Sequence, residues 1–407
     1  MNYFCNFRQY ITRTKDEQLW KKNQFLFQIY DRMKKLSPIL KSLLFPFSLL
    51  YGMVVSVRNI LFDFNILPIT EFKIPIISVG NITVGGTGKT PHIEYLITLL
   101  NDDYKIATLS RGYKRKSKGY LLADETSTSN QIGDEPMQIK RKFPDILVSV
   151  DNKRVNGVKN LLKSEHGNDL DAVLLDDAFQ HRSIKAGLSI LLIDYNRPIT
   201  RDYIMPYGRL RESASEKDRA NIIIVSKSPR NMTPIDRRII VKELDLLPFQ
   251  SLYFTTLDYG NLEPVFKNDA INIINEDWAK ENFSILLVTG IANPKPLKEY
   301  LENFSDVVEE VQFSDHYSFQ IKDLNLIQSK FEKLEGENKI IVTTEKDATR
   351  FFDMEINQES IKEHLFYIPL RIKFLNEDKS KFDVQIMNYV SKNKRSSNLH
   401  NIKTDSI

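Results

Sequence analysis

One stretch of this sequence, residues 75–100 (PIISVGNITVGGTGKTPHIEYLITLL), constrains the fold more than any other. At its start, Ile76, Ile77 and Val79 form a short apolar, β-branched run that is typical of a buried parallel strand. A glycine-rich turn over residues 85–90 follows, and the apolar residues after it recur at helical spacing. Strand, glycine-rich turn and helix in this order predict a phosphate-binding loop.

The chemistry of this loop follows from its residue types. Glycine lets backbone N–H groups close on phosphate oxygens, and the N-terminus of the following helix favours an anion. Lys89 would reach the β- and γ-phosphates of a nucleotide, and the Thr90 hydroxyl would bind Mg²⁺. Thr83 stands where the usual G-x-x-x-x-G-K-[ST] pattern has glycine. The predicted nucleotide-binding residues are Thr83, Val84, Gly85, Gly86, Thr87, Gly88, Lys89 and Thr90.

Composition and charge exclude few classes of protein. The 407 residues are enough for one large domain or two modest ones, and 42% hydrophobic with 27% charged residues describes an ordinary globular protein. The net charge of +4 is small for this length, and basic residues are interspersed with acidic ones, which argues against a nucleic-acid partner. The single cysteine, Cys5, excludes an intramolecular disulfide and a cysteine-based zinc cluster.

A second chemical motif lies at residues 171–177 (DAVLLDD). An apolar strand that ends in two carboxylates, Asp176 and Asp177, is the arrangement expected of a Walker-B site for Mg²⁺ and its waters. Three more segments have the pattern of buried strands: 105–110, 188–194 and 221–226. Because these strands alternate with helical patterns, we predict a mainly parallel sheet.

Several polar loops allow two interpretations each. Residues 111–119 form a basic loop at the carboxyl end of a predicted strand, where it either contacts a ligand or is simply solvated. Asp134 and Glu135 begin a predicted helix, whose first turn favours acidic residues in any case. Arg209 and Arg211 lie in a loop, either as anion contacts or as surface charges.

An uncharged apolar run covers residues 42–57, between Lys41 and Arg58. It is shorter than the about 20 residues that a bilayer span needs, and Pro46 and Gly52 interrupt it. The run fits an amphipathic helix that lies in a membrane interface on the cytoplasmic side. A core helix that packs on the catalytic domain is the alternative interpretation.

Seven sequence blocks together resemble the tetraacyldisaccharide 4′-kinases, the lipid A 4′-kinases of Gram-negative bacteria. The blocks stand in the order of that family and span roughly residues 40–375. They are VGNITVGGTGKT (79–90), SRGY (110–113), GDEP (133–136), LDDAFQHR (175–182), GRLRE (208–212), SDHY (314–317) and TEKD (344–347). Thr83 fits the phosphate loop of this family.

The resemblance implies a fold and an activity. The fold would be α/β, with a P-loop NTPase-type, mainly parallel sheet that has helices on both faces, a smaller second α/β domain and an N-terminal membrane-associating helix. The activity would be transfer of the γ-phosphate of ATP to the 4′-hydroxyl of a tetraacyldisaccharide 1-phosphate, a lipid A precursor, to form lipid IVA. ATP and Mg²⁺ would be the cofactors, and the acylated disaccharide lipid and the inner-membrane surface the partners, without nucleic acid. The protein would lie on the cytoplasmic face of the inner membrane, as a peripheral or monotopic protein.

The resemblance also implies roles for individual residues. Asp134 would be the general base for the sugar hydroxyl, and His316, which alone would pass for a surface histidine, would orient it. Lys89 and Asp177 complete the predicted catalytic set. The predicted metal ligands are Thr90, Asp176 and Asp177. The predicted lining residues of the active site are Glu135, Gln180, His181, Arg111, Arg209 and Arg211. Since a carboxylate has a low reference pKa, we expect the surroundings of Asp134 to raise its basicity.

Changes in composition along the chain, together with the resemblance, suggest five segments. These are an N-terminal extension (1–37), a membrane-associating helix (38–65), a P-loop kinase domain (66–230), a second α/β portion with a β-ribbon linker (231–390) and a polar tail (391–407). Met33 precedes a Lys-Lys-Leu sequence and the apolar run, and we consider it an alternative start.

Two other classes of protein keep a phosphate loop and an acidic pair. The first is a membrane-tethered nucleotide switch that binds a protein partner. The sequence has no Asn-Lys-x-Asp guanine-reading signature, since residues 344–347 (TEKD) have a different order. The second is an ATP-dependent ligase of small molecules, which would need no interfacial helix. ATP consumption with and without the lipid disaccharide separates both classes from a lipid kinase.

Overall fold

The computed structural model describes residues 42–267 and 283–404, and side chains up to residue 394 in the second range. The predicted N-terminal extension, the alternative start at Met33 and the first residues of the predicted membrane-associating segment lie outside the described residues. Part of the second α/β portion and the last three residues of the tail also lie outside them.

Strands and helices alternate along most of the described chain. The strands are β1 (Ile76–Gly80), β2 (Ile106–Ser110), β3 (Leu121–Leu122), β4 (Leu147–Val150), β5 (Ala172–Asp176), β6 (Leu188–Asp194), β7 (Ile222–Ser226), β8 (Ser251–Tyr259), β9 (Glu263–Pro264), β10 (Ser284–Thr289), β11 (Val308–Gln312), β12 (Lys339–Thr344), β13 (Leu365–Ile368) and β14 (Leu370–Phe374). The helices are α1 (Phe45–Asp63), α2 (Lys89–Leu100), α3 (Ser129–Ile132), α4 (Asp134–Lys142), α5 (Arg154–Lys163), α6 (Pro234–Leu244), α7 (Lys295–Leu301), α8 (Ile321–Lys333), α9 (Glu345–Phe352), α10 (Glu359–His364) and α11 (Asp378–Thr404). Short 3₁₀ turns cover Gly167–Asp169, Ile199–Arg201 and Ala214–Arg219.

The chain folds into two compact units, each formed from two segments. The first unit contains the described residues up to Lys89 together with Asp177–Thr255. The second contains Thr90–Asp176 and the described residues from Thr256 onward. The domain boundaries that the sequence suggests at residues 66, 231 and 391 stay a prediction.

Parallel strands form the sheet of the first unit, in the spatial order β1, β6, β7, β8. Ile77 pairs with Leu188, and Ile190 pairs with Ile222. All residues of β1 and β7 are buried, and so is nearly all of β6. Continuous apolar strands of this kind are what a parallel sheet buried on both faces requires.

The second unit contains two groups of strands. In the first group β5, β2 and β4 are parallel neighbours, and the short β3 pairs antiparallel with β4. The second group is a five-stranded sheet in the order β11, β10, β12, β13, β9, in which β9 is antiparallel. Along β10, Leu286 and Val288 pack in one apolar cluster, while Ile285 and Leu287 pack in another. Because side chains alternate along a strand, the two clusters lie on opposite faces of this sheet. The predicted mainly parallel α/β fold with a second, smaller sheet is confirmed.

Helix α1 forms the apolar N-terminal element of the first unit. Its buried residues recur every three or four positions: Ser48, Tyr51, Gly52, Val55 and Asn59. Its exposed residues are large and apolar, among them Phe47, Leu49, Leu50, Met53, Val54, Val57 and Ile60. Within the described chain it is the one helix long and apolar enough to cross a membrane by length and composition. Tyr51 and Val55 pack in an apolar cluster with Met205, so the helix rests on the first unit while most of its large apolar residues stay exposed.

Candidate active site

The phosphate loop follows β1 and ends in the first turn of α2, as the sequence predicts. Gly85 and Gly88 have φ angles of +109° and +85°, which glycine adopts without the cost that a Cβ brings. Gly86 is exposed, and a Cβ there would meet no atom within 4 Å. Thr87 is buried, and its hydroxyl accepts a hydrogen bond from Asn81 Nδ2 at 3.0 Å. The loop is therefore held by Asn81 through the Thr87 side chain, and it is accessible to solvent at Gly86.

The first residues of the loop are tied to the segment that contains Arg209. Thr83 forms an isolated antiparallel bridge with Leu210, and the backbone N–H of Val84 donates to the Arg209 carbonyl at 2.9 Å. The side chain of Val84 packs against an apolar cluster that includes Tyr51 of α1. The segment with the two arginines thus supports the loop through its backbone.

Lys89 and Arg211 share one carboxylate in the first unit. The Lys89 ammonium lies 3.5 Å from Asp177, and Arg211 Nη1 lies 3.3 Å from both oxygens of the same carboxylate. Arg211 also lies 3.3 Å from Gln180 Oε1, and the Gln180 amide donates to the Asn81 carbonyl at 2.7 Å. Asp177 has a φ of +46°. Residues with a Cβ rarely adopt this conformation, and those that do are concentrated at functional sites. The structure therefore gathers three predicted site residues around Asp177.

The residues predicted to hold Mg²⁺ have suitable chemistry. Thr90 lies in the first turn of α2, Asp176 is the last residue of β5, and Asp177 follows it. Hydroxyl and carboxylate oxygens are the hard ligands that Mg²⁺ prefers, and at nucleotide sites it uses one or two carboxylates together with phosphate and water. Over residues 42–267 and 283–404 no group of three or more His, Cys, Asp or Glu side chains is placed to hold a metal. A magnesium–nucleotide site needs no such group, so the residues present fit this ion.

A second cluster, in the second unit, surrounds Asp134, the first residue of α4. His316 Nδ1 lies 3.1 Å from Asp134 Oδ2, although the two residues are 182 positions apart. Arg350 Nη2 lies 2.6 Å from the same oxygen, and Arg350 Nε lies 3.3 Å from Oδ1. His316 has a φ of +59°, and its backbone N–H donates to the Gly290 carbonyl at 3.0 Å. The structure thus places the predicted carboxylate and the predicted imidazole in direct contact.

Lys346 determines which nitrogen of the His316 imidazole accepts a hydrogen bond. Its Nζ lies 3.1 Å from His316 Nε2 and 2.9 Å from Glu135 Oε1. An ammonium group can only donate, so Nε2 must accept and the ring proton must lie on Nδ1. That proton points to Asp134, the partner of Nδ1. Glu135, a predicted lining residue, holds the lysine in place.

The charges around Asp134 lower its pKa. Burial raises the pKa of this carboxyl, but hydrogen bonds from His316 and Arg350 and the charges of Arg350 and Lys346 outweigh burial. The pKa of Asp134 therefore lies well below its ordinary value. The expectation that its surroundings raise its basicity is wrong, because cations approach this carboxylate within hydrogen-bonding distance.

Lys346 and Arg350 are site residues that the sequence did not predict. Lys346 belongs to the TEKD block, and the two cations stand four positions apart on α9, on the same face of the helix. That spacing, directly after the carboxyl end of β12, is the signal that could have found them. Both cations contact His316, which is 30 or more positions away in sequence, so no local pattern connects them with it.

Two further predicted lining residues lie near carboxyl ends of strands. Arg111 directly follows β2 and is half-buried. His181 lies five residues after β5 and is also half-buried, and its backbone N–H donates to the Ala178 carbonyl at 2.8 Å. Ligands of open α/β sheets bind at this edge, and a role for either side chain stays a prediction.

Comparisons with known proteins agree over most of the chain. A family model described as LpxK, tetraacyldisaccharide-1-P 4′-kinase, matches residues 40–391. The tetraacyldisaccharide 4′-kinase of Bacteroides thetaiotaomicron is 48% identical over 359 residues, which cover 87% of this chain and 94% of that protein. That of Flavobacterium johnsoniae is 44% identical over 355 residues, 87% of this chain and 98% of that protein. A crystal structure described as the "apo" form of LpxK from Aquifex aeolicus in complex with ATP aligns with a TM-score of 0.66 and 28% identity, over 86% of this chain and 99% of that one.

Proposed function

Because the chain belongs to the tetraacyldisaccharide-1-phosphate 4′-kinase family, we propose that it phosphorylates the 4′-hydroxyl of a tetraacyldisaccharide 1-phosphate with Asp134 as the general base. ATP-dependent kinase activity toward a lipid A precursor comes with membership of this family. Membership also decides against the nucleotide switch and the small-molecule ligase that the sequence left open.

The phosphate loop, Lys89 and Arg211, all in the first unit, contribute to the nucleotide side of the reaction. Phosphoryl transfer asks a protein chiefly for positioning and for stabilisation of charge on the phosphates. The loop amides and Lys89 hold the β- and γ-phosphates, and Lys89 exchanges its 3.5 Å contact with Asp177 for phosphate oxygens. Arg211, on the same carboxylate, provides a second cation. Mg²⁺ bound by the predicted ligands would neutralise part of the phosphate charge.

The contact of 3.1 Å between Asp134 and His316 carries the proposal for the acceptor side. With its lowered pKa, Asp134 is ionised at neutral pH and can accept a proton. It is a weak base, so it takes the proton of the sugar hydroxyl late, as the new P–O bond forms. His316 is a positioning residue that holds Oδ2 through its Nδ1 proton. Oδ1 has the longer contact with Arg350, 3.3 Å, and we assign it to the substrate hydroxyl.

We also infer that α1 lies in the membrane interface. The helix is tied to the segment 204–212 along most of its length, through buried Ser48 and Tyr51 and half-buried Arg58. A helix anchored in this way lies along the protein, while its exposed apolar side fits the boundary between headgroups and acyl chains. This arrangement supports a peripheral or monotopic protein on the cytoplasmic face of the inner membrane.

The activity is tested by transfer of radiolabelled γ-phosphate from ATP to tetraacyldisaccharide 1-phosphate in detergent micelles. We expect label in the lipid, and none in a control lipid that lacks the 4′-hydroxyl. Lys89→Ala should reduce transfer by about 10³-fold or more, because it removes the cation on the transferring phosphate. Equal labelling of the control lipid, or full activity of Lys89→Ala, would contradict the proposal.

A further inference from the structure

Lys227, the residue directly after β7, contacts the phosphate loop, and neither the sequence motifs nor the proposed mechanism uses it. Its Nζ lies 2.5 Å from the Gly86 carbonyl oxygen and 2.8 Å from Asp194 Oδ2. The preceding residue, Ser226, donates its hydroxyl to the Thr87 carbonyl at 2.8 Å. The last residue of β7 and the residue after it therefore hold two consecutive carbonyl groups of the loop.

These contacts answer a requirement of phosphate binding through the backbone. In a trans peptide unit the N–H and C=O groups point in opposite directions, so a loop that turns its N–H groups to an anion turns carbonyl groups away from it. Hydrogen-bond donors hold such carbonyl groups in their direction, and the carbonyl of buried Thr87 has the Ser226 hydroxyl as its donor. Lys227 is the donor for Gly86, and its ammonium also places a positive charge beside the loop.

The backbone of Lys227 indicates that its side chain is needed. Its φ of +56° lies in the left-handed region, which costs free energy for a residue with a Cβ and little for glycine. A lysine at such a position is explained if the ammonium has a task that glycine cannot perform. Asp194 is buried, 4% exposed, and fixes the direction of the ammonium.

We propose that Lys227 is a positioning residue for the nucleotide: its ammonium anchors the Gly86 carbonyl so that the N–H groups of the loop face the phosphates of ATP. This role goes beyond the proposed function, which assigns phosphate binding to the loop amides and Lys89. It concerns ATP binding alone and does not depend on the lipid acceptor.

The test compares Lys227→Met, Lys227→Gly and Lys227→Arg with the wild type. Titration calorimetry gives the Kd for ATP, steady-state kinetics give KM and kcat, and thermal unfolding gives Tm. Loss of a charge-assisted hydrogen bond should raise the Kd and KM for ATP about tenfold or more in the Met and Gly variants. The kcat at saturating ATP and the KM for the lipid should stay within about twofold. Lys227→Arg, which keeps a cationic donor, should recover most of the affinity.

The glycine variant separates positioning from a merely structural role. Because glycine relieves the backbone strain, Lys227→Gly should have a higher Tm than Lys227→Met while it binds ATP no better. Lys185→Met, which changes an exposed lysine paired with Glu71 in the same unit, is the matched control and should bind ATP normally.

Three results would overturn the proposal. One is an unchanged Kd for ATP in Lys227→Met or Lys227→Gly. Another is an affinity that follows Tm, so that the glycine variant regains ATP binding along with stability. The third is a fall in kcat with an unchanged KM for ATP. Since the calorimetric measurement contains no lipid, it remains decisive even if lipid phosphorylation fails.

Discussion

At the scale of single residues, the charge of the cluster around Asp134 depends on the number of cations near this one carboxylate. Arg350 and the Nδ1 proton of His316 both approach Asp134 Oδ2, and Lys346 holds the imidazole from its other nitrogen. These groups keep Asp134 ionised and fix which oxygen is available. The contacts around Asp134 therefore hold its carboxylate in a fixed orientation, and they lower its pKa.

Lys346→Met tests this balance. The change removes the donor to His316 Nε2 and one of the charges that lower the pKa of Asp134. We expect kcat to fall about tenfold, because the imidazole can then adopt the other tautomer.

The conservative variant decides the result. Lys346→Arg keeps a cation and should restore most of kcat. An unchanged kcat in Lys346→Met would show that this lysine does not position the imidazole.

Only part of this cluster could be predicted from the sequence. Asp134 and His316 could be predicted because each lies in a family block. Without that block, a single histidine in a loop would not indicate a catalytic role. Arg350 could not be found without the fold, since its contact with residue 134 joins positions 216 apart. The direction of the pKa shift of Asp134 depends on distances of about 3 Å, which no sequence pattern contains.

At the scale of elements, three helices of the second unit meet at one buried group of charges. Lys142 of α4 lies 2.6 Å from Glu94 of α2 and 2.8 Å from Glu345 of α9. Gln138 Nε2 donates to Glu94 at 2.6 Å. Burial, with the nearby charge of Glu345, raises the pKa of Glu94 to about 7. One lysine thus faces two carboxylates at the junction of the helices.

Glu94 should make the stability of the protein depend on pH. Its pKa is higher in the folded state than the ordinary value of 4.5, so the folded protein holds a proton that the unfolded chain releases. This contribution to stability is complete below the unfolded pKa and is lost as pH rises through about 7. We expect the Tm of the wild type to fall between about pH 5 and pH 8 by a few degrees more than that of Glu94→Gln.

Thermal unfolding over this pH range, with Glu71→Gln as an exposed control, is the measurement. The control should follow the wild type, because Glu71 pairs with Lys185 at the surface. Parallel curves for the wild type and Glu94→Gln would refute the role of Glu94.

Helix α1 gives a prediction about the membrane. Leu50→Glu together with Met53→Glu places two charges on its exposed apolar side, where each residue is 59% or more exposed. Flotation with anionic vesicles should then be lost, because charged side chains resist transfer into the interface. Ile321→Glu with Leu326→Glu, on the exposed side of α8, is the matched control and should leave flotation unchanged. Equal flotation of both double variants would contradict an interfacial role for α1.

The elements could be predicted where the spacing of apolar residues is clear. The strand and helix around the phosphate loop are confirmed, since β1 has a β-branched run and α2 has a helical period. The position of α1 could not be chosen from its sequence, because apolar residues occur on all its sides. Only the structure shows that Ser48 and Asn59 lie on its buried side.

At the scale of the whole molecule, the α/β class could be predicted because alternating strand and helix patterns allow few other folds. The composition of the two units could not. Each unit joins segments that are distant in sequence, because the chain passes from one unit to the other after Lys89 and again before Asp177. The local composition of a chain does not show which distant segments pack together. The seven family blocks carried the prediction of function, since the phosphate loop alone also allowed a switch or a ligase.

The role of Asp134 as the base is tested most directly by the rate at which Asp134→Asn transfers labelled phosphate from ATP to tetraacyldisaccharide 1-phosphate. The amide keeps the size of the side chain but cannot accept the proton. We predict that the rate falls about 10²- to 10⁴-fold, while the Kd for ATP, measured on the same protein, stays within about twofold. Transfer at the wild-type rate by a variant that binds ATP normally would contradict this assignment.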